Sequence, residues 1–440
     1  MRVRYFFSFL FLLVSTIVGG AKAAELKSMP PIYHWLTKNG IPVYFVARSQ
    51  IPVIDMSIIF RAGSAYDGTL PGIAQFTAQM LNQGTRNLNA DQIANRFESV
   101  GAHYSAMIHQ DGVTLRLRSL SESKFFNSAF SMFVELVGHA NFPQTAVNRT
   151  RKQIEIALQE EEQTPSLVAR NAFYKMLYGQ HPYASPLLGT MQSVQEITRE
   201  KLIDFYQHYY VNKNAVIVMV GDMTKDRAVA LAEQFASALT EGKQAVLPSL
   251  PVKQPVAHLY KIHYPSQQTT ILLGQIGITL KDPDYFSILL GNQILGGGIL
   301  TSRLFSEIRN KRGLCYGISS YFDALQTEGP FVINLKTRAD QAFTALSLTQ
   351  STLKNFVVHG PTEAELLAAK QTLIGNFPLT IASNASILAH LEKIGFYELP
   401  LTYLDNYRAN LSHITVQQVH SAFQKHIKPD KLLVIMVGKT

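Results

Sequence analysis

Cysteine is nearly absent from this sequence, because the 440 residues include a single one, Cys315. One thiol excludes an intramolecular disulfide, and it excludes zinc and iron–sulfur sites built from several cysteines of the chain. Charged residues are also few, at 16% against about 25% in an average soluble protein, whereas hydrophobic residues reach 47%. This balance is typical of large folded domains and argues against intrinsic disorder.

The motifs of several common catalytic sites are also missing. No two of the 13 histidines lie three or four residues apart, so neither H-E-x-x-H nor H-x-x-E-H occurs. No G-x-S-x-G sequence is present, and Cys315 stands in KRGLCYG without a nearby base, so we interpret it as a buried residue rather than a nucleophile. Basic residues are spread along the chain without interleaved aromatics, which argues against nucleic-acid binding.

The N-terminus has the three parts of a secretory signal peptide. Arg2 and Arg4 precede an apolar run from Tyr5 to Gly20, and Ala-Lys-Ala follows at 21–23. The run is shorter than the roughly 20 residues that a membrane-spanning helix needs. We therefore predict a signal peptide at 1–23 and an exported protein, periplasmic in a Gram-negative bacterium, without stable membrane insertion. An uncleaved membrane anchor is the alternative.

The remaining chain contains two similar halves. Thr198 and Thr415 each stand at a predicted helix N-cap, and the helix that follows leads to an apolar strand that ends at Gly221 or Gly438. Both pairs are separated by 217 residues. Similar shifts relate earlier landmarks, which indicates a duplicated domain: Phe60 with Gly274, Gly84 with Gly298, and Gly112 with Gly329.

A proline-rich stretch divides the halves, since Pro248, Pro251 and Pro255 cannot continue a helix or a central strand. We predict an N-terminal domain at 24–240, a linker at 241–257 and a C-terminal domain at 258–440. Hairpin signals such as Asn39-Gly40 alternate with groups of helical segments in the first half. This order predicts an α+β fold of two homologous domains, each an antiparallel-dominated sheet with helices packed on one face, that together form a clamshell.

The segment Arg61 to Thr85, RAGSAYDGTLPGIAQFTAQMLNQGT, resembles the first helix of the insulinase/pitrilysin family of zinc peptidases, the inverzincins. In active members this helix carries H-x-x-E-H, whose histidines bind zinc and whose glutamate activates water. Gln75, Ala78 and Gln79 occupy these places here. The family's third ligand, a glutamate, aligns at about Ala157. Because amides are poor zinc ligands and alanine accepts no proton, the resemblance implies a degenerate zinc motif and no metal bound by this chain.

The segment Gly296 to Phe322, GGGILTSRLFSEIRNKRGLCYGISSYF, is similar to the family pattern S-R-L-F-x-E-[IV]-R-x-x-x-G-L-x-Y. In active members, an arginine and a tyrosine seven residues apart lie opposite the zinc and hold the substrate backbone. Arg309 and Tyr316 match these residues, so the resemblance implies that they bind substrate. Without the resemblance, the residues themselves favour a surface arginine and a packed tyrosine. The likeness covers nearly all of the mature chain and includes YGQHPYASPLLGT, in which we interpret His181 as structural.

Two-chain members of the family divide the site between subunits, with the zinc motif on one and the Arg/Tyr pair on the other. The resemblance therefore implies a non-catalytic subunit of an exported heteromeric zinc peptidase, inactive alone. Its expected partners are a homologous catalytic subunit, which carries H-x-x-E-H and the zinc, and an unfolded peptide substrate. One alternative is a structural or binding scaffold derived from the peptidase fold, like the core subunits of a respiratory complex. Another is an active peptidase with an unfamiliar site.

Overall fold

The computed structural model describes residues 30–248, 250–252, 254 and 258–439. The predicted signal peptide at 1–23 and part of the predicted linker, including Pro255, therefore lie outside the described residues. Within these ranges, no helix combines the length and the apolar character that crossing a membrane requires.

The strands and helices of the first half alternate in groups along the chain. Its strands are β1 (Tyr33–Leu36), β2 (Pro42–Ala47), β3 (Val53–Phe60), β4 (His103–Ile108), β5 (Val113–Leu120) and β6 (Ala215–Gly221). Its α-helices are α1 (Ile73–Met80), α2 (Ala90–Glu98), α3 (Ser123–His139), α4 (Gln144–Glu162), α5 (Pro165–Tyr178), α6 (Met191–Glu196), α7 (Arg199–Tyr209) and α8 (Lys225–Ala238).

The second half repeats this order in outline, but among the described residues it has five strands and six α-helices against six strands and eight α-helices in the first half. In addition, π-helical turns at Gln293–Gly297 and Phe305–Asn310 follow its first helix. Its strands are β7 (His258–His263), β8 (Gln268–Ile276), β9 (Cys315–Phe322), β10 (Pro330–Arg338) and β11 (Leu433–Gly438). Its α-helices are α9 (Tyr285–Asn292), α10 (Ala342–His359), α11 (Glu363–Thr380), α12 (Asn384–Phe396), α13 (Tyr403–His413) and α14 (Val416–His426).

Each half forms one sheet. Among the described residues, the strand order is β1-β2-β6-β3-β5-β4 in the first sheet and β7-β11-β8-β10-β9 in the second. The pairs β2–β6 and β7–β11 are parallel, and the other neighbouring strands are antiparallel. The predicted α+β fold with two antiparallel-dominated sheets is therefore confirmed.

The strand register corrects one detail of the internal repeat. In the first sheet, Phe60 lies opposite Ala215, six residues before Gly221. In the second sheet, Gly274 lies opposite Leu433, only five residues before Gly438. Phe60 is therefore equivalent to Gln275, and the pairing of Phe60 with Gly274 in the sequence comparison was wrong by one residue.

Each sheet is covered on one face by helices of its own half, as predicted, and on the other face by a helix from the opposite half. Helix α12 lies across β2, β3 and β6 of the first sheet, where Ile387, Leu391 and Ile394 pack against alternate strand residues. Helix α5 lies across β8 and β11 of the second sheet. This exchange explains why β6 and β11 are buried along their whole length, since both faces of each strand are covered.

Glycines allow the exchanged helices to approach closely. A Cβ atom on Gly274 would lie 2.9 Å from the ring of Phe173 on α5 and 2.0 Å from the carbonyl oxygen of Phe331. A Cβ atom on Gly395 of α12 would lie 2.8 Å from the ring of Tyr44. These glycines bring each helix into direct contact with the sheet beneath it.

A buried aspartate joins the two halves. Asp111, in the turn between β4 and β5, is 1% exposed. Its carboxylate accepts hydrogen bonds from the hydroxyls of Tyr183 (2.5 Å) and Tyr397 (3.1 Å) and from the backbone N–H of Gln326 (2.9 Å). Burial raises the pKa of Asp111, although these hydrogen bonds lower it. Because Gln326 and Tyr397 belong to the second half, one carboxylate holds both halves in register.

Candidate functional site

Helix α1 carries the three positions that correspond to the zinc motif. Gln75 and Gln79 lie one turn apart, and the buried Ala78 lies between them in sequence. Residues three and four apart share one face of a helix, so these positions point to the same side. The opposite side of the helix, which includes Phe76 and Met80, is buried in the core.

Helix α1 begins at a fixed point because Asp67 binds its N-terminus. The carboxylate accepts hydrogen bonds from the backbone N–H groups of Gly72 (2.9 Å) and Ala74 (3.0 Å) and from the hydroxyl of Ser185 (2.6 Å). Gly72 has a φ of 90°, which favours glycine. Burial raises the pKa of Asp67 to about 7, although the hydrogen bonds from Ser185, Gly72 and Ala74 lower it.

A cleft of about 370 Å³ lies between α1, α4 and β4. Ala78 and Gln79 line it from α1, and Ala157 lines it from α4, whereas Gln75 lies one turn away from Gln79 and outside the cleft. The structure thus brings together three of the four positions that the family resemblance singled out. The other lining residues are mostly polar amides, hydroxyls and small side chains: Asn82, Gln83, Tyr104, Ser105, Ala106, Thr150, Gln153, Ile154 and Leu188.

The composition of this cleft does not fit a zinc ion. Within the part of the chain that the structure describes, its lining contains neither histidine nor cysteine and neither aspartate nor glutamate. Zinc in proteins is held by imidazole, thiolate and carboxylate ligands, and a zinc peptidase also needs a base near the metal-bound water. The amide of Gln79 and the methyl groups of Ala78 and Ala157 supply none of these groups.

Strand β4, at the open edge of the first sheet, borders the same cleft. His109 donates its backbone N–H to the carbonyl of Gly112, so this pair is hydrogen-bonded across the hairpin. Because such pairs alternate along an antiparallel ladder, the backbone groups of Tyr104, Ala106 and Ile108 point away from β5. Among the described residues these groups have no hydrogen-bond partner, so the edge is free to accept another strand.

The second half brings Arg309 and Tyr316 together beside β9. Gly313, with a φ of 62°, allows the chain to turn between the two residues. The guanidinium of Arg309 lies over the ring of Phe305 (4.8 Å) and over the ring of Tyr316 (5.2 Å). Tyr316 is 88% exposed, so the alternative of a packed tyrosine is wrong.

Arg309 has no ion-pair partner among the described residues, although its neighbours on the same segment are paired. Arg303 contacts Glu365 through two hydrogen bonds (2.6 and 2.7 Å), and Lys311 and Arg312 share Glu307. These two cation–π contacts leave the N–H groups of the guanidinium without a hydrogen-bond partner among the described residues. Arg309 can therefore donate hydrogen bonds to a carbonyl or carboxylate oxygen beside the tyrosine hydroxyl.

The Arg309–Tyr316 groove, a depression of about 840 Å³, surrounds this pair. Ile299 and Leu300 contribute exposed aliphatic side chains, and Lys336 contributes a second cation. Cys315 also lines the groove but is 8% exposed, which agrees with its interpretation as a buried residue. Burial raises the pKa of its thiol, although the nearby Arg309 lowers it.

The edge of the second sheet is partly covered, unlike the edge of the first. The side-chain amide of Asn292 donates to the backbone carbonyl of Ser320 in β9 (3.1 Å), and the hydroxyl of Ser320 donates to the Asn292 side-chain oxygen (2.7 Å). The sequence analysis did not identify Asn292, because an asparagine in a helix has no distinctive signal.

Asp282, Asp284 and His426 form a cluster of potential metal ligands that the sequence analysis also missed. His426 follows Asp282 by 144 positions and Asp284 by 142 positions, so no spacing motif in the sequence marks the cluster. Lys425 contacts Asp284 (2.6 Å), and His426 contacts the same oxygen (2.8 Å). The hydrogen bond from Lys425 lowers the pKa of Asp284, and the hydrogen bond from His426 adds to this effect.

His181 lies outside this cluster and is buried. Its Nδ1 atom accepts a hydrogen bond from the backbone N–H of Tyr183 (3.2 Å).

Two family models match the chain. The model described as "Insulinase (Peptidase family M16)" matches residues 45–191, and the model described as "Peptidase M16 inactive domain" matches residues 196–373. An "Uncharacterized zinc protease" of Rickettsia bellii is 29% identical over 324 residues, which cover 72% of this chain and 75% of the relative. The "Non-peptidase homolog YmxG" of Helicobacter pylori is 23% identical and covers 98% of both chains.

A solved structure gives a stronger likeness. The crystal structure of a peptidase M16 inactive domain from Pseudomonas fluorescens superimposes with a TM-score of 0.90. It is 39% identical in sequence, and the match covers 93% of this chain and 98% of that chain. Identity at this level over nearly the full length of both chains shows common family membership. The chain therefore belongs to peptidase family M16, the insulinase family.

Proposed function

We propose that this protein is the non-catalytic subunit of an exported, heteromeric zinc peptidase, which binds the peptide substrate opposite the metal of a homologous catalytic subunit. The single observation that carries the proposal is the contrast between its two halves. In the part of the chain that the structure describes, the lining of the cleft at α1 contains no residue suited to bind zinc, whereas the half-buried Arg309 and the exposed Tyr316 form a pair without competing ion-pair partners. A chain that keeps one half of a divided site needs a partner for the other half.

The chemistry of the Arg309–Tyr316 pair suits substrate binding. The rim of the guanidinium and the phenol hydroxyl offer hydrogen-bond donors to the carbonyl oxygen of an extended peptide. Negative charge develops on that oxygen when the peptide bond is attacked, and preorganised donors stabilise it. Neither residue would bind the metal, so their contribution would be independent of zinc affinity.

Export is part of the proposal and rests on the sequence at 1–23 alone. In a Gram-negative bacterium, the complex would then act in the periplasm. The mature N-terminus should lie near Ala24, which intact-mass measurement of the natively expressed protein would test. Retention of residues 1–23 in the membrane fraction would contradict this part of the proposal.

The decisive experiment is reconstitution with a homologous chain that carries an intact H-x-x-E-H motif. Arg309→Ala or Tyr316→Phe should lower the turnover of the complex on an unfolded peptide by about 100- to 1000-fold. Assembly, followed by size-exclusion chromatography, and zinc content of the partner should not change. Arg312→Ala, on the same segment but paired with Glu307, is the matched control and should leave turnover unchanged.

A structural or binding scaffold is the competing function, and the same experiment separates the two. If both variants assembled with an active partner and cleaved peptide at the normal rate, the substrate-binding role would be wrong. The protein would then be a scaffold with the peptidase fold.

A further inference from the structure

The Arg309–Tyr316 groove has a basic lining. Its charged lining residues are Arg309, Lys336 and Arg338, and the described lining contains neither aspartate nor glutamate. We propose that this groove selects acidic segments of extended peptides, with an apolar side chain beside the acidic one. This inference rests on the proposed function, because it names the substrate class of the same groove.

Two of the three cations are free to act on a ligand. Arg338 is paired with Asp340, with its Nε atom 3.0 Å from Oδ1 of that carboxylate. Arg309 and Lys336 have no ion-pair partner among the described residues. The nearby Glu307 is bound by Lys311 (2.5 Å) and Arg312 (2.9 Å), so it does not neutralise the groove. The groove therefore carries two uncompensated positive charges, which attract a carboxylate and repel a basic side chain.

The geometry of Arg309 suits a carboxylate in particular. Its guanidinium carbon lies 4.8 Å from the centre of the Phe305 ring and 5.2 Å from the centre of the Tyr316 ring, and these contacts restrict the motion of the side chain. A guanidinium fixed in this way can donate two parallel N–H hydrogen bonds to the oxygens of one carboxylate. Less side-chain entropy is lost on binding because the fork is already oriented.

The walls of the groove add an apolar component. Ile299 is 80% exposed and Leu300 is 64% exposed, and both line the groove together with the exposed ring of Tyr316. A Cβ atom on Gly317 would have no neighbour within 4 Å, so open space lies directly beside the strand. An extended peptide can thus place an acidic side chain at Arg309 and an apolar side chain against Ile299 and Leu300.

Direct binding to the mature chain tests this selectivity. Three fluorescently labelled peptides of equal length would share apolar residues and differ only in carrying glutamate, glutamine or lysine at the same positions. By fluorescence anisotropy, we expect the glutamate peptide to bind about tenfold or more tightly than the lysine peptide. Added salt should weaken the binding of the glutamate peptide and narrow this difference.

Variants locate the effect in the groove. Lys336→Glu should weaken binding of the glutamate peptide by roughly threefold to tenfold. Lys431→Glu, at the opposite end of the second sheet, should leave this affinity unchanged. Gly317→Leu adds a side chain to the groove at a position where a Cβ atom has no neighbour within 4 Å, and it should prevent binding of all three peptides. Gly375→Leu is the matched control, since a Cβ atom there also has no neighbour within 4 Å.

Each outcome has a distinct meaning. Equal affinity for the three peptides, with binding still prevented by Gly317→Leu, would overturn the acidic selectivity and leave the proposed function intact. Binding that survives both Gly317→Leu and Arg309→Ala would place the peptide elsewhere and contradict the proposed function itself. Tighter binding of the lysine peptide, or no binding of any peptide, would also overturn the inference.

Discussion

The edge strands of the two halves, β4 and β9, occupy equivalent places but meet different helices. In the second half, the amide of Asn292 covers the backbone of Ser320. In the first half, Ala78 of α1 lines a cleft beside the free edge of β4. The amide of Asn292 thus covers one carbonyl of β9, whereas the edge of β4 has no such cover among the described residues. The two halves therefore share one sheet architecture but differ in the contacts of their edge strands, β4 and β9.

Restoring the family's ligands to the first half should produce the largest effect. Gln75→His, Ala78→Glu, Gln79→His and Ala157→Glu together place one imidazole and two carboxylates in the cleft at α1 and a second imidazole one helical turn away on α1. The variant should bind close to one zinc per chain, whereas the natural chain should contain far less. Elemental analysis after dialysis measures this directly.

The three substitutions on α1 without Ala157→Glu form the control and should hold zinc more weakly, since one protein ligand is missing. A folded variant with all four changes that took up no zinc would show that α1 and α4 do not hold these positions in a metal-binding arrangement.

Helices α5 and α12 are held on the sheets that they cover by different contacts, an aromatic ring on α5 and an ion pair on α12. Loss of either contact should give the next largest effect, a decrease in the free energy of unfolding. Phe173→Ala removes the ring of α5 from Gly274 and should lower the free energy of unfolding by about 3–5 kcal/mol. Glu392→Ala on α12 leaves Arg116 without its carboxylate and should cost about 3 kcal/mol. Urea denaturation measures both.

Glu392→Leu combined with Arg116→Met is the control for the second anchor, because it removes both charges and should cost less than Glu392→Ala alone. If the double variant were as unstable as the single one, packing rather than the ion pair would hold α12 on the first sheet.

The aspartates before α1 and α9 should give opposite dependences on pH. Asp67, with its pKa raised to about 7, binds a proton in the folded state that the unfolded chain releases near 3.8. Its stabilising effect is complete below pH 3.8 and is lost as the pH rises through about 7. Asp284 has a lowered pKa, so its effect is present above pH 3.8 and is lost as the pH falls through its folded-state pKa.

The measurement is the free energy of unfolding of the natural chain relative to Asp67→Asn and to Asp284→Asn over a range of pH. The first difference should fall as the pH rises from about 4 to 7, and the second should fall in acid. Parallel curves for the natural chain and Asp67→Asn would contradict the raised pKa of Asp67.

The smallest expected effect comes from Asn292→Ala, a substitution that makes the edge of the second sheet resemble that of the first. Asn292→Ala removes the two hydrogen bonds with Ser320 and should lower the free energy of unfolding by about 1–2 kcal/mol. Amide hydrogen exchange at Ser320 should rise because its strand edge becomes uncovered. Asn410→Ala, on the exposed side of α13, is the control and should change neither quantity.

Local signals in the sequence predicted local structure well. Thr198 and Thr415 cap α7 and α14, and Gly40 forms the turn between β1 and β2 with a φ of 80°. Each of these features depends on a few neighbouring residues, whose turn and capping preferences are strong. The degenerate zinc motif could be identified for the same reason, because its positions lie within one helix.

Features that depend on distant residues could not be predicted in this way. The exchange of α5 and α12 leaves both helices with ordinary amphipathic patterns, so nothing in either segment indicates which sheet it covers. Asp111 carries no signal of its contact with Gln326 and Tyr397, which are more than 200 residues away. The one-residue error at Gly274 arose because a sequence comparison cannot see the hydrogen-bond register.

The exchange of helices also has a consequence for the origin of the chain. A single half, expressed alone, would leave one apolar sheet face bare and would carry a helix with no sheet of its own to cover. Two copies of such a half could satisfy both needs by trading helices, as domain-swapped dimers do. The present protein has the form of that dimer with its subunits joined end to end, so fusion of two genes would have cost the ancestor no repacking of its core.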